Sequence, residues 1–389
     1  MADYPCKELN GRTPLEVANH PNMDEIARRG SVGLLETIPE GMYPGTDIAH
    51  LSILGYDPKK YYPGRAALEA ADLNIKLPKD SLIFRCNLVY VDHNKLIDYS
   101  AGHISDQEAK ELINHLVKAL SDVPIEIYHC SSYRSILILK GKLNLEIQCY
   151  PPHDYVGSNI EDIMPKPKVK DAEDVVKCIR SIMLRSLNVL RSHPINKRRI
   201  SRGLKPANMV WLWGVGSIRK LPSFYKVHGI KGAIISATNL IRGIGRLIGM
   251  SIIDVPGITG YYDTNYAGKA EYAIKALANH DLVLVHVEAP DEAGHEGNIE
   301  EKIRAIENID KEIIGRILNN TENVGVVVLT DHYTPVSLRR HVAHPVPYAI
   351  YGMDGVKADR FTEKDIKKVS SKILKATNLI NTIISRKPL

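Results

Sequence analysis

Two carboxylates and three imidazoles stand just past apolar runs in the last third of this 389-residue sequence. Leu282-Val-Leu-Val-His-Val-Glu-Ala-Pro290 reads as a strand and leads into Asp291-Glu-Ala-Gly-His295. Gly325-Val-Val-Val-Leu-Thr330 reads as a second buried strand and leads into Asp331-His332. His341 follows, ahead of Pro345-Val-Pro-Tyr-Ala-Ile-Tyr351. In an open α/β sheet, ligands bind beyond the carboxyl ends of the strands. Mixed oxygen and nitrogen donors suit a hard or borderline divalent ion: Mn2+, Zn2+, Co2+ or Mg2+. Singly, each motif also has a plainer reading. Asp291 and His295 fit a Pro- and Gly-containing surface turn, Asp331-His332 fits a turn, and His341 fits a surface histidine. Together, each at a strand end, they make a candidate two-metal site, in which ions polarise phosphoryl oxygens and lower the pKa of a bound hydroxyl.

Such a site needs a nucleophile. Pro44-Gly-Thr-Asp-Ile-Ala-His-Leu-Ser52 places Thr46 in a tight turn with a helix opening behind it. Backbone N–H groups and the dipole at a helix N-terminus favour a phosphate there. The same threonine also reads as an ordinary N-cap. Coordination to an ion is a recognised way to activate such a hydroxyl.

The elements that must hold these groups are legible in the periodicity. After Asn208 the pattern alternates. Strands are expected at Met209–Trp213, Gly232–Ser236, Ser251–Val255, Leu282–Val287, Val324–Leu329 and Pro347–Tyr351. Helices are expected at Asn239–Gly249, Tyr266–Ala278 and Ile299–Leu318. Continuous β-branched runs alternating with helices predict a mostly parallel sheet covered on both faces. The middle differs. Strands are expected at Ser81–Val91, Ile125–His129, Tyr133–Leu139 and Leu143–Tyr150, with one helix capped by Ser105 and another over Asp171–Leu190. Antiparallel strands with helices on one side predict an inserted α+β domain. Its joints fall near Pro58–Gly64 and His193–Lys205. The fold class is therefore α/β, a mostly parallel sheet sandwiched by helices, formed by residues 1–60 and 206–389, with a smaller α+β domain over 61–205. The basic run Lys197-Arg-Arg199 reads as a solvated linker rather than a nucleic-acid contact.

A net charge of +6 is mild for this length. It fits a small anionic substrate better than nucleic acid. Five cysteines without CxxC spacing read as free thiols in a reducing cytoplasm. No leader pattern or long apolar run is seen, so neither secretion nor a membrane span is expected. Composition leaves a homo-oligomer open. Arg242-Gly-Ile-Gly-Arg246 lies within a helical pattern, and Trp213-Gly-Val-Gly216 lacks a third glycine. Neither is a dinucleotide fingerprint, and both read as small residues for close packing.

Longer phrases carry a resemblance over nearly the whole chain. They include Met1-Ala-Asp-Tyr-Pro5, Pro44-Gly-Thr-Asp47, Ser52-Ile-Leu-Gly-Tyr-Asp57, Phe84-Arg-Cys-Asn-Leu88, Asp98-Tyr-Ser-Ala-Gly-His-Ile104, Pro151-Pro-His-Asp154, Gly260-Tyr-Tyr-Asp-Thr-Asn-Tyr266, His286-Val-Glu-Ala-Pro-Asp-Glu-Ala-Gly-His295 and Asp331-His332. The sequence resembles the archaeal-type, cofactor-independent phosphoglycerate mutases of the alkaline phosphatase superfamily. The resemblance implies one metal on Asp291, His295 and His341, and a second on Asp331, His332 and the Thr46 hydroxyl. Mn2+ is the leading ion, with Zn2+, Co2+ or Mg2+ as alternatives, and no 2,3-bisphosphoglycerate is required. It also implies that the insert holds the glycerate, with Arg65, Arg85, Arg134, His153 and Asp154 as candidates. His153 or Asp154 would move the proton on the glycerate hydroxyls. Arg242 is a further candidate for binding substrate. The implied chemistry interconverts 3- and 2-phosphoglycerate in glycolysis and gluconeogenesis, through a phosphoenzyme on Thr46. A phosphatase or phosphomutase for another small phosphate ester is the second reading. A weakly active metabolite-binding protein is the third.

The chain departs from the family pattern in three places. Family members usually carry serine where Thr46 stands, and often lysine near Arg242. The family also opens with a buried strand ending in Asp-Gly, ahead of the Met-Ala-Asp-Tyr-Pro phrase. The Asp of that pair is a metal ligand, and the given sequence starts at the Met of the phrase. The expectation is that Met1 is an internal methionine of a longer protein. Asp3 matches a different family position and is not expected to replace the ligand.

Overall fold

Fourteen strands organise the described residues, 1–78, 80–218 and 221–385, of a computed structural model. In chain order they are β1 Ser31–Glu36, β2 Ser81–Asp92, β3 Lys95–Asp98, β4 Ile125–Ser131, β5 Arg134–Lys140, β6 Ile147–Gln148, β7 Lys166–Pro167, β8 Met209–Gly216, β9 Gly232–Ile235, β10 Ser251–Ile252, β11 Leu282–Val285, β12 Val326–Leu329, β13 Val346–Tyr351 and β14 Ile373–Lys375. The chain divides into two units, Met1–Tyr62 with Lys220–Leu389, and Pro63–Arg219.

The discontinuous unit is the expected α/β assembly, with its strands in two sheets. One is parallel throughout, in the order β10-β9-β11. The other runs β12-β13-β1-β14, with β13 antiparallel to both of its neighbours and β14 parallel to β1. The helix Asn239–Leu247 connects β9 to β10 and buries Leu240, Ile241 and Ile244. A Cβ on Gly245 would meet Ile252 at 2.7 Å and Ile234 at 2.8 Å, so glycine lets this helix lie close on the strands. Close packing accounts for the second glycine of Gly243-Ile-Gly245. Strands β11 and β12 each end a sheet among the described residues, and both line a groove of about 1470 Å³ that mixes Ile309, Ile313 and Ile350 with His286, Asp291 and Asp331. Most of their residues are half-buried, where continuous apolar runs predict full burial, because among the described residues neither strand pairs on its second edge.

Leu15, Met23, Ile26, Ile306, Ile313 and Phe361 form one core of this unit, each contributing roughly 1.5–3 kcal/mol on burial. The expected long helix is found as Ile299–Asn308, a π-helical Ile309–Gly315 and Arg316–Asn320. In the π segment the buried Asp310 accepts from the Met23 N–H at 2.7 Å and the Asn22 N–H at 3.3 Å. It thereby caps the helix Pro21–Arg29, whose own N-cap His20 makes no side-chain cap. Asp3 is committed to Lys302, at 2.7 Å with both side chains fully buried.

The smaller unit is antiparallel, in the order β3-β2-β5-β4 with β8 on the other side of β2. Alternation along β2 sends Leu82, Phe84, Cys86 and Leu88 to a core shared with the helices Asp106–Ala119 and Glu173–Arg191. Ile83 faces the opposite way, against Ala66, Ala67 and Ala70 of the helix Arg65–Asp72. Helices thus cover both faces, not one as expected. The second joint also moves. Strand β8, expected in the larger domain, pairs antiparallel with β2, so the smaller unit runs on to Arg219 instead of ending at 205. Of the strand expected over Leu143–Tyr150, only Ile147–Gln148 pairs, with β7. Lys197 and Arg198 of the Lys197-Arg-Arg199 run are exposed, as expected, but the run is not a linker. It lies on the helix Pro194–Ser201, where Arg199 is buried, pairs with Glu108 at 2.5 Å and donates to Ala101 O at 2.9 Å.

Candidate active site

The predicted turn at Asp291–His295 is a helix, Ala289–Glu296, with Pro290 in its first turn. A spacing of four puts Asp291 and His295 on one face of it. His341 reaches the same place from the loop before β13. His295 Nε2 and His341 Nε2 each lie 3.3 Å from Asp291 Oδ2 and 2.8 Å from each other. Each ring is oriented from behind. His295 Nδ1 is 3.0 Å from Arg339 O, and His341 Nδ1 is 3.3 Å from Pro44 O. Carbonyls only accept, so both Nδ1 atoms carry a proton, and each Nε2 is left to donate to Asp291 when protonated or to ligate an ion when not. Metal-binding histidines are held in this way. A tetrahedral ion with bonds near 2.05 Å needs donors roughly 3.3 Å apart, which these atoms approach. The donor set therefore fits a divalent ion.

Past β12, the buried His332 lies between two groups. Its Nε2 is 3.1 Å from Thr46 Oγ1 and 3.2 Å from Asp331 Oδ2, while its Nδ1 is 3.2 Å from Thr334 Oγ1. Thr334 in turn donates to Asp291 Oδ1 in a short hydrogen bond. Thr46 is not the N-cap. Gly45 takes that position, and Thr46 is the first residue of the helix Thr46–Ile53, buried, with its hydroxyl turned to His332. The six residues Asp291, His295, His341, Asp331, His332 and Thr46 are thus brought together.

The charges are strongly coupled. Burial opposes ionisation of Asp291, but hydrogen bonds from His295 and His341 hold its carboxyl well below the usual range. The same contact with Asp291 raises His295 to about 9. Asp331 is also lowered, the pull of His332 and His50 overcoming burial. Burial, then the charges of Asp291 and Asp331, pushes Glu288 up to about 8.

Several polar neighbours lie outside the expected set. His50 Nδ1 stands 2.8 Å from Thr46 O and 3.9 Å from Asp331 Oδ2. His286 Nε2 stands 3.1 Å from Glu288 Oε2, and its backbone oxygen accepts from the buried Lys269 ammonium at 2.7 Å. His50 and His286 meet edge to face at 5.0 Å. The signals were present. His50 follows Thr46 by four on a helix, and His286 and Glu288 are polar residues closing an apolar strand.

In the smaller unit, Arg85 stacks over Trp213 at 4.0 Å and pairs with Glu69 at 3.0 Å. Burial pulls the Arg85 pKa down. Glu69 opposes this, and the charges of Arg65 and Arg134 add to it. His153 packs edge-on against Trp213 at 5.3 Å. Arg65, Arg85, Arg134 and His153 therefore share one neighbourhood. Asp154 is exposed, 3.7 Å from His153. Arg242, in the larger unit, is held by Asp254 at 2.8 Å.

Comparison with known proteins places this geometry in a family of isomerases. Residues 27–196 match the family model for 2,3-bisphosphoglycerate-independent phosphoglycerate mutase. A protein of that name from Methanosarcina barkeri is 46% identical over 395 residues, spanning 100% of this chain and 98% of its own length. A second, from Methanothermobacter thermautotrophicus, is 47% identical over 367 residues, spanning 94% and 89%. Among solved structures, a Pyrococcus horikoshii protein superimposes with a TM-score of 0.81 at 29% identity, covering 99% of this chain and 94% of that one. The cofactor-independent phosphoglycerate mutase of Thermoplasma acidophilum gives 0.71 at 26% identity, covering 99% and 96%. The chain belongs to the 2,3-bisphosphoglycerate-independent phosphoglycerate mutases. Among the described residues, no helix is long and apolar enough to cross a membrane.

Proposed function

We propose that this chain interconverts 3-phosphoglycerate and 2-phosphoglycerate without 2,3-bisphosphoglycerate, through a phosphoenzyme on Thr46. The observation that carries the reading is the position of Thr46 Oγ1. It sits at a helix N-terminus, 3.1 Å from His332, within a cluster of metal-type donors. Asp291, His295 and His341 would hold one divalent ion, and Asp331 and His332 a second beside Thr46. Mn2+ is the first choice, with Zn2+, Co2+ and Mg2+ as alternatives. When bound, such ions neutralise phosphoryl oxygens and favour the ionised hydroxyl.

In the first step the Thr46 hydroxyl gives up its proton and its oxygen attacks phosphorus; the second step returns a proton to it. The Oγ–P bond forms as the bond to the glycerate 3-oxygen breaks, and that oxygen takes up a proton. In the second step the glycerate 2-hydroxyl loses its proton and attacks the phosphothreonine, which restores Thr46. His153 and Asp154 are the candidates for moving those protons. Arg85, Arg65 and Arg134 offer guanidinium forks matched to carboxylate and phosphate. Catalysis is then mostly positioning and charge neutralisation. An enolase-coupled assay with Mn2+ or Co2+ tests the reading. Turnover of 3-phosphoglycerate is expected with no bisphosphoglycerate added. Release of inorganic phosphate alone, or a strict need for 2,3-bisphosphoglycerate, refutes it.

A further inference from the structure

We propose that the Thr334 hydroxyl is a positioning group for both ions: it accepts from His332 Nδ1 and donates to Asp291 Oδ1, and so ties a ligand of one ion to a ligand of the other. The inference rests on the two-ion reading above and adds to it a residue that is itself no ligand. The direction of the chain follows from what each atom can do. A hydroxyl has one proton to give, and an ionised carboxylate only accepts, so the Thr334 proton goes to Asp291 Oδ1. The Thr334 oxygen is left as an acceptor, and His332 Nδ1 at 3.2 Å must be the donor. With Nδ1 protonated, the neutral His332 ring turns the lone pair of Nε2 toward Thr46 Oγ1 at 3.1 Å and Asp331 Oδ2 at 3.2 Å. That is the tautomer a metal ligand needs, fixed by the hydrogen bond at the far nitrogen. The same hydroxyl divides the work within Asp291. Oδ1 is taken by Thr334, which leaves Oδ2 to face His295 and His341, each 3.3 Å away.

The fold holds Thr334 firmly in this place. The residue is 3% exposed. Its carbonyl accepts from the buried Lys302 ammonium at 2.8 Å, and Lys302 is paired in turn with Asp3. Its side chain lies against the helix Ala289–Glu296, which carries Asp291 and His295. A Cβ on Gly294 would stand 2.3 Å from Thr334 O and 2.8 Å from Thr334 Cγ2, so glycine lets that helix come close enough for the contact. Valine would fill the same space; the hydroxyl is what joins the two ligands.

Calorimetric titration of the metal-free full chain with Co2+ tests the proposal. Two ions are expected on the unmutated chain. Thr334→Val keeps the shape, removes the hydroxyl and should weaken both ions roughly 10- to 100-fold. Thr334→Ser keeps the hydroxyl and should bind both about as tightly as the unmutated chain. Unchanged affinity for either ion in folded Thr334→Val, or equal weakening by serine and valine, overturns the proposal. A second measurement needs no change at Thr334. Imidazole nitrogen magnetic resonance of the metal-free, unmutated chain at about pH 8 should show His332, assigned through His332→Gln, as the neutral Nδ1–H tautomer. An Nε2–H tautomer overturns the proposal. In Thr334→Val the ring should shift toward Nε2–H, donating to Asp331; a threonine that only fills space would leave it alone, and an unchanged ring overturns the proposal too. Neither ions nor turnover are read in this measurement, so its failure is distinct from that of the mutase assay. A working mutase with the Nε2–H tautomer would keep its function and lose this assignment.

Discussion

Replacing Thr46 with valine separates chemistry from folding. The substitution keeps the branched shape in a buried site and removes only the hydroxyl. Among the described residues that hydroxyl hydrogen-bonds His332 Nε2 at 3.1 Å. His332 retains Asp331 Oδ2 at 3.2 Å and Thr334 Oγ1 at 3.2 Å, so its ring is not left without partners. The stability cost is then that of one net hydrogen bond, about 0.5–1.5 kcal/mol. For a chain of this size the melting temperature should fall by no more than roughly 1–4 °C. Catalysis should fall far more. With no oxygen to receive the phosphoryl group, the rate should drop at least about 10⁴-fold, equivalent to a barrier increase above about 5 kcal/mol. Thr46→Ser keeps the oxygen and loosens χ1, and should stay within about tenfold of the unmutated rate. The coupled assay gives the rates, and intact-mass spectrometry after quenching looks for a phosphoryl adduct on Thr46. A Thr46→Val protein that melts normally and retains more than about one hundredth of the rate would refute the nucleophile assignment; on a barrier scale that residual corresponds to only about 2.7 kcal/mol.

Other perturbations test other parts of the structure. Arg85→Lys keeps the charge but loses the fork and the stacking on Trp213, and should lower kcat/KM about 10- to 100-fold; an unchanged value removes Arg85 from substrate binding. Lys302→Met strands the buried Asp3 carboxylate and should cost about 3–5 kcal/mol in chemical unfolding, where a cost below about 1 kcal/mol would show the pair to be dispensable. Asp98 is held below the usual carboxylate range: burial opposes this, but Lys205 at 2.6 Å and the Ser100 hydrogen bonds prevail. A depressed folded pKa gives stability that is present above the unfolded value near 4 and lost as pH falls below it. Unfolding at pH 6 and pH 3 should therefore differ by roughly 1–2 kcal/mol less in Asp98→Asn than in the unmutated chain, and an equal difference refutes the role.

The candidate donors were legible because the chemistry proposed for them restricts residue type. Carboxylates and imidazoles directly after apolar strands have few structural uses, and Asp291, His295, Asp331, His332 and His341 could be named from type and spacing. The α/β character was legible too, since β-branched runs such as Gly232-Ala-Ile-Ile235 and Leu282-Val-Leu-Val285 have little alternative to burial in a sheet.

Tertiary structure alone decided the rest. Whether β8 belongs to the larger or the smaller unit depends on its partner, β2, more than a hundred positions earlier in order. A strand's own residues specify that it pairs but not with which strand. Arg199 looked solvated because its charge is visible in sequence, while the Glu108 carboxylate and Ala101 carbonyl that bury it are remote. His50 and His286 are not legible in the sequence for the same reason: a lone histidine has many roles, and only the fold brings these two beside Asp331. Local composition thus settled what each segment is. Which segments meet was settled by long-range packing, where energies come from surfaces that no short window contains.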